Sequence, residues 1–110
     1  MKQSMVQEII AQLGGKGLTG ALAYTGTKEI HHVDNYTIAF RVNGKPGTTT
    51  LIHIHLNGKD LYDLHVREVR AGEIKYRNGT TDVYGDDLQF CFEELYDEYI
   101  KARNDGFINI

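Results

Sequence analysis

The fold is decided by Tyr36-Thr37-Ile38-Ala39-Phe40-Arg41-Val42, Leu51-Ile52-His53-Ile54-His55-Leu56 and Tyr62-Asp63-Leu64-His65-Val66-Arg67. In each run apolar and polar residues alternate. A period of two places one set on each face of a strand. Tyr36, Ile38, Phe40 and Val42 form one inward row, Ile52, Ile54 and Leu56 a second, and Tyr62, Leu64 and Val66 a third. The breaks between them, Asn43-Gly44-Lys45-Pro46-Gly47 and the segment opened by Asn57-Gly58, have turn composition. Connections this short join antiparallel neighbours and leave no room for a parallel crossover. The alternation begins near residue 27, and a shorter strand carrying Ile74 and Tyr76 is expected over Glu73–Arg77, closed by a turn at Asn78-Gly79.

Helical patterns flank the strands. Ser4-Met5-Val6-Gln7 has the form of a capping box. Val6, Ile9, Ile10 and Leu13 follow at helical spacing, and Gly14-Gly15 stops the run, which predicts a helix over 4–13. Residues 14–26 hold five glycines and are read as a loop or weak edge. The last element is expected over Val83–Arg103, capped by Thr81 or Asp82. Tyr84, Leu88, Cys91, Phe92, Leu95 and Tyr99 share one face, with Asp86, Glu93, Glu94 and Asp97 opposite. The sum is an α+β fold: an antiparallel meander of four or five strands, with an N-terminal helix and a long C-terminal helix packed on one face.

The chain of 110 residues has room for one domain, residues 1–110. With 41% hydrophobic and 25% charged residues it has the composition of a folded domain. The mean hydropathy of −0.39 and the lack of a long apolar run argue against a membrane partner. One cysteine, Cys91, excludes an intrachain disulfide and a multi-cysteine zinc site. The N-terminus has no signal-peptide pattern, so a cytoplasmic location is expected.

Charge is uneven. Residues 41–80 carry a net +3 and residues 81–110 a net −6, within a total of −3. The acidic end opposes phosphate, which argues against nucleic acid as partner and in favour of protein. Homo-oligomerisation is left open.

Gln12-Leu13-Gly14-Gly15, Thr25-Gly26-Thr27-Lys28, Leu56-Asn57 with Asp60-Leu61-Tyr62-Asp63, and Val83-Tyr84 occur in that order across residues 8–100. In this order they resemble a family of small uncharacterised proteins encoded by bacteriophages, prophages and mobile elements. The chain departs from that pattern in having Thr27 where alanine is expected, and in His53, His55 and His65. The resemblance implies a phage or mobile-element setting, with the host cytoplasm as location, and brings no catalytic residue with it.

Three groups carry possible chemistry. Phe90 falls among Glu93, Glu94 and Asp97 on the acidic helix face, the pattern of an aromatic anchor rimmed by charge. The alternative is that the tail Phe107-Ile108-Asn109-Ile110 covers it. Second, His53 and His55 project from one strand face about 6–7 Å apart. Matching the inward rows sets His53 opposite His65 and His55 opposite Asp63, an arrangement that brings together ligand types for a divalent transition metal such as zinc. The plainer reading is a polar sheet face that binds nothing and needs no cofactor. Third, Arg41, Lys45, Arg67, Arg70, Lys75 and Arg77 supply what basic character the chain has, the residues a nucleic-acid accessory protein would use. Gly15-Lys16-Gly17-Leu18-Thr19-Gly20 matches a dinucleotide fingerprint in letters, but a helix precedes it where a strand is required. No nucleophile with a neighbouring base stands out, so the reading leans away from an enzyme. It settles on a non-enzymatic phage or mobile-element protein that binds a protein partner, with inhibition of a host defence system as one role. A histidine-based metal protein and a nucleic-acid accessory protein are the alternatives.

Overall fold

The alternating rows of Ile38, Phe40 and Val42, Ile52 and Ile54, and Tyr62, Leu64 and Val66 are buried together in the computed structural model, which describes residues 1–105. They lie on strands β2 (Thr37–Val42), β3 (Thr49–Leu56) and β4 (Tyr62–Arg70). Strand β1 (Glu29–Asp34) flanks β2 and β5 (Glu73–Val83) flanks β4, so five strands run in sequence order, each antiparallel to the next. The β4–β5 connection is two residues, Ala71 and Gly72, both at positive φ. That geometry matches the twist of the flanking strands.

Helix α1 (Gln3–Gln12), the short α2 (Ala21–Tyr24) and α3 (Leu88–Asn104) cover one face. Val6, Ile9 and Leu13 from the first, Ala21 and Leu22 from the second, and Leu88, Phe92, Leu95 and Tyr99 from the third join the strand rows in one core. Phe40 and Phe92 meet edge to face at 5.4 Å between ring centroids. This is the α+β architecture that the alternation and the two flanking patterns predict.

Several local expectations are corrected. The Ser4–Gln7 capping box does not form: α1 begins at Gln3 after Lys2, and no side chain caps it. The start lies earlier because the Met1 ammonium donates to the Asp34 carbonyl at 2.8 Å and ties the terminus to β1. The stop falls where expected. Gly15 N–H donates to the Ile10 carbonyl and Gly14 N–H to that of Ala11, with both glycines at positive φ. The glycine-rich segment contains α2, too short for helical periodicity to reveal and held by burial of Ala21 and Leu22.

Asn78-Gly79 is not a turn. β4 presents a full partner strand, with Val66 opposite Asn78 and His65 opposite Gly79, so β5 continues to Val83. Thr81 and Asp82 therefore lie in a strand and cap nothing. A 3₁₀ turn at Gly85–Asp87 precedes α3, and Tyr84 is exposed where the wheel puts it in the stripe. Tyr36 is also exposed, in the β1–β2 turn.

The least expected core residue is Glu68, fully buried on the inward face of β4. Its Oε1 accepts from the Tyr99 hydroxyl and, at 3.4 Å, from Thr48 Oγ1. Thr50 Oγ1 lies 3.0 Å from the same Tyr99 oxygen. This polar cluster fastens α3 to β3 and β4. No helix among the described residues is long and apolar enough to cross a membrane.

Candidate functional surfaces

The outer face of α3 carries the first candidate. Phe90 is 68% exposed, with no described residue covering it; the tail 107–110 lies outside the described residues. Glu93 accepts from Gln89 Nε2 at 2.9 Å, and Gln89 also reaches the Thr19 carbonyl at 3.3 Å. Asp97 accepts from the Tyr24 hydroxyl at 2.6 Å, and that bond is the main reason the Tyr24 phenol is held above its ordinary pKa. Glu94 is exposed. None of Asp86, Asp87, Glu93, Glu94, Asp97 and Glu98 forms an ion pair among the described residues. Glu93, Asp97 and Glu98 are thus set in position by the neutral donors Gln89, Tyr24 and Asn78.

Two residues of this surface were not foreseen. Leu18, 97% exposed, sits beside Thr19 in the loop that Gln89 grips, and Tyr24 packs edge-on against Tyr96 while remaining exposed. Leu18 had a legible signal, a lone large apolar residue among glycines. Tyr24 had none, because only the docking of α2 on α3 brings it there.

The second candidate is the sheet face away from the helices. The register is the one inferred from matching inward rows: His53 opposite His65, His55 opposite Asp63, Leu51 opposite Arg67. The His53 and His65 rings stack at 5.0 Å with 22° between planes. Burial, Arg67 and His65 together push His53 down to about 4, and burial with Arg67 and Arg77 lowers His65. His53 is therefore neutral at neutral pH. His55 Nδ1 lies 2.8 Å from Thr37 Oγ1. Asp63 accepts from Asn57 Nδ2 and from the Asp82 amide, both at 3.0 Å, and these bonds hold its carboxyl below the usual range.

His53, His55, His65 and Asp63 all line one open depression on this face. They share a face and the inferred register; His55 and Asp63 are bonded to other partners, while His53 Nδ1 has none. Among the described residues no three of His, Cys, Asp or Glu are grouped to hold a metal ion. His31 pairs with Ala39 and His32 with Ile38, on opposite faces as expected.

The basic set is also divided. Arg41 is 3.6 Å from Glu29, and Lys75 is 2.8 Å from Glu73. Arg70 ends β4 and Lys45 lies in the β2–β3 connection, so no continuous basic stripe forms. Arg67 and Arg77 remain, directly opposite each other on β4 and β5 with no ion-pair partner among the described residues.

Cys91 is half-buried, and burial with Asp87 and Glu94 raises its thiol pKa, the reverse of what a nucleophile needs. No family model, no curated protein and no solved structure matches this chain.

Proposed function

We propose that the protein is a non-enzymatic binding module that docks a basic surface of a protein partner on the outer face of α3. The observation that carries this reading is the exposure of Phe90, at 68%, among carboxylates that have no ion-pair partner among the described residues. An aromatic side chain supplies buried area at the centre of a contact. Glu93, Glu94 and Asp97 steer a cationic partner and select its orientation. Leu18 and Tyr24 extend the apolar part of the surface toward α2. The order of short motifs resembling phage and mobile-element proteins supports a narrower role, occupation of a surface on a host protein, including one of a defence system.

The test is capture of partners from a host lysate on the wild-type protein, Phe90→Ala and a variant with Glu93, Glu94 and Asp97 changed to Lys. A genuine partner is retained by the wild type and lost by both variants. In kinetic measurements the Lys variant slows association and reverses its salt dependence, while Phe90→Ala speeds dissociation about 5- to 100-fold. A partner held equally by all three proteins overturns the assignment of this surface.

A further inference from the structure

We propose that the open sheet face holds an oxyanion site formed by Arg67, Arg77 and the His53–His65 pair, and that it takes the phosphoryl group of a small phosphorylated ligand.

Arg67 and Arg77 are cross-strand partners. Like charges directly opposite destabilise a sheet, and an acid beside them is the usual relief. None is supplied. The other charged groups of this face are occupied: Glu29 with Arg41 and His31, Lys75 with Glu73, and Asp63 with Asn57 and the Asp82 amide. Arg67 Nε and His53 Nδ1 are both shut off from solvent without a hydrogen-bond partner. A guanidinium presents a planar fork of donors that fits a phosphoryl group, and two side by side supply the charge for one.

The histidines complete the site. His53 and His65 lie one alternation along β3 and β4 from Leu51 and Arg67, about 6–7 Å away by strand geometry. Burial and the arginines disfavour the charged form of each, and a neutral imidazole can donate one N–H without adding repulsion. Gly79, opposite His65, has no side chain, and its Cβ would come within 2.9 Å of the Leu64 carbonyl oxygen and 3.2 Å of His65 Cβ. An open groove of about 620 Å³ runs from this point past the histidine pair to Thr37, His55 and Asp63. Neither arginine lines the groove itself: Arg67 follows His65 by two residues on β4 and Asp63 precedes it by two, so the arginine and the carboxylate are roughly 13 Å apart along the strand.

Charge favours a small ligand over a polymer. A nucleic-acid strand needs a succession of phosphate contacts, and among the described residues of this face Arg67 and Arg77 are the cationic pair without an ion-pair partner. The −6 of residues 81–110 opposes a polyanion as a whole.

The test is an NMR titration that follows the imidazole resonances of the full chain with pyrophosphate, with adenosine monophosphate and with a single-stranded oligonucleotide, against chloride at matched ionic strength. The expected result is saturable movement of His53 and His65 with the two small phosphates, with His32 unmoved. Arg67→Gln and Arg77→Gln each weaken binding at least about tenfold, and Arg77→Lys, which keeps the charge, weakens it less. Arg77 is exposed, so its replacement leaves the fold in place, as the same spectra verify. Movement that does not saturate, or an unchanged affinity in Arg77→Gln, overturns the site. Tighter binding of the oligonucleotide than of either small phosphate overturns the assignment to a small ligand.

Discussion

The Tyr99 hydroxyl donates to Oε1 of Glu68 inside the core, and neither side chain reaches solvent. A carboxyl group at this depth without a cation is costly, and its Oε2 has no partner at all. The phenol and the Thr50 hydroxyl supply the polar surroundings that make its burial tolerable, and burial together with the bond to Glu68 raises the Tyr99 pKa. Tyr99→Phe removes the main donor and leaves Glu68 stranded, with an expected loss of about 1–3 kcal/mol in urea unfolding. Pairing it with Glu68→Met costs less than the sum of the single changes, since the stranded group is then gone. Strict additivity would show that the bond contributes nothing to holding α3 on the sheet.

The histidine pair gives stability a pH dependence. His53 is lowered from 6.5 to about 4 in the folded chain, so between those values the unfolded chain binds more protons. Stability from this group is complete above about 6.5 and is lost as pH falls toward 4, by up to about 3 kcal/mol. His65 is shifted in the same direction. Unfolding midpoints of the wild type and His53→Gln, measured from pH 7 to pH 4, should show the wild type losing stability relative to the variant as the pH drops. Parallel curves would contradict the neutral, half-buried imidazole.

Ile54 and Leu95 face each other's layer across the core, one fully buried on β3 and the other 4% exposed on α3. Each change to Ala is expected to cost about 2–5 kcal/mol through lost transfer energy and a residual cavity. Against a total of about 5–15 kcal/mol for a domain of this kind, thermal unfolding will show either change plainly. Changes below about 1 kcal/mol at both positions would be incompatible with this core.

Phe90→Ala should move the unfolding midpoint little, within about 0.5 kcal/mol, because the ring packs on no described residue of the core. Stability measured by urea titration separates its binding role from a structural one. A loss of several kcal/mol would mean that Phe90 is covered in the folded chain and is no anchor.

The strands β2, β3 and β4 were legible because alternation is a local property. A period of two sorts Ile38, Phe40, Ile52, Ile54, Leu64 and Val66 to one face wherever the strand sits, and short connections then fix the register. The pairing of His53 with His65 and of His55 with Asp63 followed from that alone. The chain also determined the stop of α1, since Gly14 and Gly15 reach positive φ without strain. What it left to tertiary structure has a common cause. Asn78-Gly79 has turn composition but continues as strand with β4 beside it, and that continuation moves the start of α3 from Val83 to Leu88. Glu68 continues the inward row of β4, but only the Tyr99 phenol descending from α3 makes a carboxylate tolerable there. The partners of His55 and Asp63 likewise came from Thr37, Asn57 and Asp82, neighbours that no periodicity assigns. Strand period and glycine conformation are written into consecutive residues, whereas the partners of a polar atom come from whichever distant segment the packed fold brings beside it.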